Sequence, residues 1–533
     1  MLLLLFLALS CSKNDDDTPV LVKSSEKQLV SFAFNAIDNA VLETNQTATV
    51  NEGYKTITAS MPVGTDISAL TPTMNVSAKA SVAPTGAQNF SSPVTYTVTA
   101  EDGTIANYIV EVMVSDSSES QLLRFVFREA DNGIPDTIEA TVDTENASLL
   151  LVTTSNTDLT ALIPQLEISE GASYSPQGVQ DFSGPVTYTV TAADGTQSDY
   201  AVTVKTERDL LITIIEANPN NTLGWNLADA DIENWNVGLD QDGYIEELYI
   251  EEANLSVLPE EIGFFGRLQK LSLDDNQLAE LPESIGNLIN LTWLSLYRNN
   301  LTELPSEFAQ LSALEDLYLG ENLIQEFPEE LFQLTNLIKL YLDNNLLKEL
   351  PTGFDRMTAL DILYLDDNLF EKFPEQVFEL TNLTRFYYRN NQLKELPSEI
   401  GNLTNLVRLS LEGNLLSTLP DEVQSLSRLK TLRLDGNQFE AIPEVVIFTL
   451  DVLETLGLDD NMIQEISPEI TNLSSLEYLY LDNNLLTSLP SELASIASLS
   501  SLEIRGNPIA VLPEELCSRV DIEIVKDDTT ICK

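Results

Sequence analysis

The chain contains no histidine, which removes the commonest general base and the commonest metal ligand together. Most hydrolase triads and zinc sites are excluded on that ground alone. Basic residues are also scarce. The 27 Lys and Arg stand against 84 Asp and Glu in 533 residues, a formal net charge of −57 with a pI near 4.1. Nucleic acid is therefore not an expected partner, because polymer and protein would repel instead of releasing counterions. No Gly-rich phosphate loop and no nucleophile elbow occurs, and Asp366 and Asp367, being adjacent, point differently and make no acid/base dyad. The expectation is a protein that is not an enzyme and needs no cofactor. No stretch reaches the ~20 apolar residues that a membrane helix requires.

In place of chemistry there is a period. Asn276, Asn299, Asn322, Asn345, Asn368, Asn391, Asn414 and Asn437 follow one another at 23 residues; Asn461 comes one residue late, and Asn484 and Asn507 restore the step. Each stands in the frame L-x-x-L-x-L-x-x-N-x-L. In Leu291, Leu294, Leu296, Asn299 and Leu301, the three leading Leu put the inward side chains of a short strand on one face. The Asn amide both donates and accepts, which suits a turn whose backbone groups would otherwise stay unpaired. The remainder, as in Leu304-Pro305 through Phe308, Leu311 and Leu314, has helix-like spacing behind a Pro and predicts the convex side. One unit cannot bury its Leu face alone. About five aliphatic side chains per unit, buried between neighbours, give on the order of 10 kcal/mol gross, so stability must come from stacking.

The segment Leu396-Pro397-Ser398-Glu399-Ile400-Gly401-Asn402-Leu403-Thr404-Asn405-Leu406 closely resembles the phrasing of the 23-residue, Ras-related class of leucine-rich repeats. The resemblance covers residues 245–516, about twelve units, beginning with a degenerate one in which Ala253 takes the Asn position. It implies an α/β solenoid, or horseshoe. Residues 207–244, with Trp225, Trp235 and the turn Asp240-Gln241-Asp242-Gly243, resemble the N-terminal caps of extracellular members of this class. The indoles would cover the bare Leu face of the first repeat, or else stack on sugars. Phe386 and Tyr388 replace the usual Leu pair, one residue is inserted between Pro443 and Leu453, and Ile466-Ser467-Pro468 departs from the Leu-Pro phrasing. A change of local curvature is expected there.

Residues 1–11, MLLLLFLALSC, resemble a bacterial lipobox, which implies cleavage that leaves Cys11 as an acylated N-terminus. Ala8 stands where a larger aliphatic is usual, and an ordinary secretory signal with an incidental Cys is the alternative. No Lys or Arg precedes the run, as expected if the start is truncated. Residues 12–26 open on Ser12-Lys13-Asn14-Asp15-Asp16-Asp17, similar to the acidic signals that send some lipoproteins to the outer face of the outer membrane. A solvated tether is the plainer reading of that run. A lipid would then be the only membrane anchor. Cys517 and Cys532 fall in residues 517–533, where they either close a C-terminal cap as a disulfide or remain two reduced thiols.

Between signal and repeats lies a tandem duplication at an offset of 92, clearest where Pro93-Val94-Thr95-Tyr96-Thr97-Val98-Thr99-Ala100 matches Pro185-Val186-Thr187-Tyr188-Thr189-Val190-Thr191-Ala192. Phe90 matches Phe182, and Phe32-x-Phe34 matches Phe125-x-Phe127. Alternating apolar and Thr/Tyr runs joined by Asp-Gly turns predict an all-β antiparallel sandwich in each copy, 27–116 and 120–206. Both resemble the immunoglobulin-like modules of surface lipoproteins, although neither has the Cys-Trp-Cys core of antibody domains. The implied role is spacing.

With the repeat frame known, outward positions can be read as columns, equivalent residues on neighbouring strands lying ~4.8 Å apart. The position between the second and third Leu holds Tyr318, Tyr341, Tyr364 and Tyr387 in succession. Trp293, Tyr297 and Arg298 flank that stripe. It reads either as a stacking surface for a peptide or glycan, or as a ladder that merely stabilises exposed strands. Arg385, Arg389, Arg408 and Arg433 fall on three successive strands and form an island able to receive a carboxylate or sulfate, unless Asp366, Glu412 and Asp435 pair with them. Asp343, Asp366, Asp435, Asp459 and Asp482 occupy a third outward column, where their mutual repulsion would be relieved by water and salt or by calcium. The resemblance implies a surface binding or adhesion protein that presents this concave face to a protein ligand, with glycan capture as the alternative.

Overall fold

The computed structural model describes residues 23–114, 118–140, 147–193, 195–227, 232 and 234–532. Cys11 and the acidic run after it lie outside these residues.

In the first copy, Leu29–Phe34 pairs with Gln46–Thr47 and Thr73–Val76 in a three-stranded antiparallel sheet. A second sheet of five strands runs Thr49–Asn51, Thr56–Met61, Ile105–Val114, Val94–Thr99 and Ser81–Ala83. Its Thr56–Met61 and Ile105–Val114 strands are parallel, with Thr56 opposite Ile109, which corrects the expectation of a wholly antiparallel arrangement. Alternation could not tell the two apart. Thr56–Met61 turns every second side chain inward whichever way its neighbour runs. The core is aromatic: Phe32 meets Tyr96 at 5.3 Å and Phe34 meets Phe90 at 5.2 Å, both edge to face. The second copy repeats this at the matched residues, Phe125 to Tyr188 at 5.2 Å and Phe127 to Phe182 at 5.1 Å.

The repeats are preceded by the helix Glu207–Ala217, which the sequence reading missed. Thr206 and Asp209 form a capping box at its start, and Leu210, Leu211 and Ile214 are buried. Trp235 is buried in the repeat core with Trp225 stacked on it at 5.1 Å, and Arg208 lies over the Trp235 ring. The Trp235 faces are thus occupied, which removes the sugar-stacking reading for this ring.

From Val237–Leu239 onward a single sheet of fourteen strands continues to Glu523–Val525. The first pairing is antiparallel and all later ones are parallel, always in one register, so that Leu271, Leu294, Leu317 and Leu340 stand in a row. These Leu are fully buried. The last strand belongs to the segment expected only as a cap, which therefore extends the sheet by one more rung. Cys517 and Cys532 in that segment are joined by a disulfide.

The return segments are 3₁₀ helices and not the α-helices expected, for instance Ser306–Gln310 behind Pro305 and Ser398–Asn402 behind Pro397. A 23-residue turn leaves room for about five residues there, too few to repay an α-helical nucleus. The exceptions are Glu514–Cys517 behind Pro513 and Glu444–Ile447, the latter a single α-turn at the site of the inserted residue. An α-turn rises ~1.5 Å per residue against ~2.0 Å for 3₁₀, so the extra residue is absorbed on this side. Thr455–Gly457 accordingly pairs with Thr431–Arg433 without a shift.

The asparagines bind the turns together. Asn322 Nδ2 donates to the Leu296 and Leu319 carbonyls, and its Oδ1 accepts from the Leu301 N–H of the preceding unit. Each residue before the Asn, such as Asp275, Arg298 and Gly413, has φ between 51° and 68°. That left-handed step turns the chain out of the sheet.

Candidate functional site

The sheet face is built from three outward columns. The first carries Glu247, Lys270, Trp293, Asp316, Lys339, Ile362, Arg385 and Arg408 side by side. The second carries the tyrosines, and the third the acids together with Tyr297 and Arg389.

Ring centroids in the second column are 4.3 Å apart from Tyr318 to Tyr341, 4.4 Å from Tyr341 to Tyr364 and 3.8 Å from Tyr364 to Tyr387, with interplanar angles of 11–19°. Trp293 closes one end at 5.5 Å from Tyr318, and the Arg408 guanidinium lies 5.9 Å from the Tyr387 ring at the other. The rings thus turn their faces to each other. What remains for a ligand is a half-buried row of edges and hydroxyls. Burial pushes the Tyr341 and Tyr364 phenols above their ordinary range, so both stay neutral donors.

A cleft of about 190 Å³ opens where the ladder ends, lined by Tyr364, Asp366, Tyr387, Arg389, Arg408, Ser410, Glu412 and Arg433. Arg433 Nε donates to Asp435 at 2.6 Å and its guanidinium lies 4.9 Å from the Tyr480 ring. It can reach across because residue 457 is glycine: a Cβ there would stand 2.3 Å from Arg433 Nε. Arg389 lies 3.5 Å from Asp366 and 3.7 Å from Asp367. Two of the four arginines are therefore neutralised within the chain. Among the described residues the Arg408 guanidinium hydrogen-bonds only to the Tyr387 hydroxyl, at 3.4 Å, and Arg385 stands beside Arg408 outside the cleft lining. Tyr297 lies apart from the ladder, its hydroxyl donating to Glu321 under Arg298. Hydrogen bonding to Glu321, then burial, raises that phenol to about 12.

The third column is not the exposed row of repelling charges expected from its outward position. Asp366 is 2% exposed, Asp482 8% and Asp435 9%. Asp274 accepts from the Tyr297 N–H at 2.8 Å and Asp366 from the Arg389 N–H at 2.5 Å; Asp435, Asp459 and Asp482 accept from the Asp459, Asp482 and Arg505 N–H groups in turn. Each carboxylate thus bonds the next unit's backbone as that chain leaves the sheet. Burial nevertheless dominates and lifts the Asp366 and Asp459 carboxyls to about 7. Glu412, also raised by burial, keeps one buried oxygen without a partner beside the cleft. Among the described residues no three Asp, Glu, His or Cys are grouped to hold a metal ion.

A larger cleft, about 570 Å³, lies elsewhere, between return segments at Lys348, Glu349, Leu369, Phe370, Lys372 and Gln392. Its charges alternate in sign and no polar groups converge on one point, so chemistry favours the smaller cleft over the larger.

Comparison with known proteins identifies the repeats. A family described as "SGBP, N-terminal" matches residues 33–112 and 130–204, and families described as leucine-rich repeats match 267–288, 283–387, 375–439 and 451–509. Among solved structures, a leucine-rich repeat protein of Leptospira interrogans is 34% identical over 60% of this chain and 82% of its own, with a TM-score of 0.52. The Arabidopsis receptor kinase HAESA, solved in complex with the peptide hormone IDA and a co-receptor, is 25% identical over 61% of this chain and 62% of its own, with a TM-score of 0.48. No curated protein matches.

Proposed function

We propose that this chain, which belongs to the leucine-rich repeat family, is a non-enzymatic surface-displayed binding protein that takes an extended stretch of a protein ligand along its tyrosine ladder. The observation that carries this reading is the stacking of the four rings, 3.8–4.4 Å apart. Faces spent on one another are not offered to a sugar ring, whereas edges and neutral hydroxyls suit the apolar side chains and backbone groups of a peptide. An extended peptide advances ~3.4 Å per residue, so about four residues would follow the ladder. A solenoid supports such a role because its invariant Leu core leaves the outer columns free to vary.

Glycan capture is the second reading, favoured by the surface glycan-binding family matched over the two N-terminal copies. In the first reading those copies are immunoglobulin-like sandwiches that act as spacers, in the second they carry the glycan site, and in both a lipid on Cys11 holds the protein at the outer membrane. The supports are the duplication and the MLLLLFLALSC signal. Titrating the intact protein and its Tyr341→Ser/Tyr364→Ser/Tyr387→Ser variant against immobilised proteins and polysaccharides separates the readings. A protein ligand lost in the variant supports the first. Polysaccharide binding that the variant retains overturns it and moves the site to the N-terminal copies.

A further inference from the structure

The first outward column pairs opposite charges twice. Lys270 Nζ lies 2.7 Å from Glu247, and Lys339 Nζ 2.7 Å from Asp316. At its third lateral pair of charges the pattern breaks, because Arg385 stands directly opposite Arg408. Both side chains are exposed, their outer neighbours in the column are Ile362 and Thr431, and neither has a carboxylate partner among the described residues. Like charges directly opposite on adjacent strands destabilise a sheet. In a chain with 84 acids against 27 bases, two exposed guanidiniums side by side without a carboxylate are open to an anion from outside. Arg389 and Arg433, by contrast, already face Asp366, Asp367 and Asp435.

We infer that Arg385 and Arg408 form a clamp for one carboxylate of the bound peptide, beside the Tyr387 end of the ladder, while Arg389 and Arg433 serve the fold. This rests on the reading of the ladder as a peptide site. Two adjacent planar forks match the two oxygens of a carboxylate, and the acidic remainder of the protein repels that group everywhere else, which sets the direction in which the peptide lies. The carboxylate is either an Asp or Glu side chain or the peptide's C-terminus.

The test selects binders to the intact chain from a synthetic library of random decapeptides with free C-termini. Each recovered peptide is then resynthesised with its acidic side chains as amides or with its C-terminus amidated. We expect one of the two changes, and not both, to weaken binding on the order of tenfold or more, the size of a charge-assisted hydrogen bond. In the Arg385→Gln/Arg408→Gln variant the same change has no effect. Because it relieves a like-charge contact and gives up only the long Arg408 contacts to Tyr387, this variant melts close to the wild type, whereas Arg389→Gln and Arg433→Gln melt lower. Peptides that bind the ladder but ignore the double substitution overturn the clamp and leave the proposed function standing. No peptide binding at all overturns both. Dextran sulfate binding that the double substitution abolishes, with peptide binding unchanged, assigns the arginines to a sulfated ligand and overturns the clamp.

Discussion

Replacing Asn322 with alanine tests how neighbouring turns are held together. The amide is 5% exposed and makes contacts of 2.9–3.2 Å to the Leu296, Leu319 and Gly320 carbonyls and 3.0 Å to the Leu301 N–H. The losses are unequal. Leu296 O also accepts from Asn299 and Leu319 O from Asn345, so those carbonyls keep one partner, whereas the Leu301 N–H keeps none. One buried orphan donor at about 1–3 kcal/mol, with roughly 1 kcal/mol for the thinned carbonyl bonds, gives an expected loss of about 2–4 kcal/mol. Asn322→Asp should be worse at neutral pH, since it saves the Leu301 contact but turns an anionic oxygen toward two carbonyls. Because repeats unfold in a locally coupled manner, exchange at the Leu301 amide is the fitting readout beside urea denaturation followed by tryptophan fluorescence. Asn336→Ala, which removes an exposed 2.9 Å bond to Ser312, is the control and should change stability by less than ~0.5 kcal/mol. An Asn322→Ala protein as stable as that control, or an Asp variant milder than Ala, would refute this account of the ladder.

Acidification should stabilise the protein. The Asp366 and Asp459 carboxyls are held at about 7 in the fold against ~3.9 unfolded, so the folded state binds more protons in that window. Their contribution is complete below about pH 4, falls as pH rises through the window and levels off above about 7, amounting to a few kcal/mol. Melting should therefore be higher at pH 5 than at pH 8, and the reverse order would contradict the burial of this column. Reducing the Cys517–Cys532 disulfide, whose ends are 15 positions apart, should cost about 3 kcal/mol locally and speed amide exchange in Glu523–Val525, while exchange at Trp293–Ser295 stays unchanged. Gly286→Ala should destabilise strongly in a thermal melt, because its Cβ would stand 2.2 Å from the Glu307 carbonyl oxygen, whereas Gly266→Ala meets nothing within 4 Å and should be near neutral.

The repeat frame was legible because each of its positions answers one physical need. Leu at three spacings fills the interior, and Asn supplies both donor and acceptor at the turn from a short side chain. The tyrosine column could be named for the same reason, since a register of 23 places equivalent residues opposite one another. Its face-to-face stacking could not, because proximity in a column does not set the side-chain torsion. The four arginines looked alike in sequence, yet they divide by column: position three sends Arg389 onto buried acids, while position one leaves Arg385 and Arg408 with each other. The depth of the aspartates was also hidden, as it comes from the neighbouring turn's N–H reaching over them. Gly457 carried a faint signal, a residue without a side chain in a column otherwise filled by Tyr, Ser, Arg and Glu, and it marks the space that Arg433 occupies.

Side-chain footprinting with hydroxyl radicals, on the intact protein with and without a saturating ligand, addresses the binding face directly. Tyr318, Tyr341, Tyr364 and Tyr387 should lose reactivity together on binding, while Tyr54, 84% exposed in the first N-terminal copy, stays unchanged. Protection of Tyr54 with an unaltered ladder would contradict the claim that the tyrosine-bearing sheet face is where this protein holds its partner.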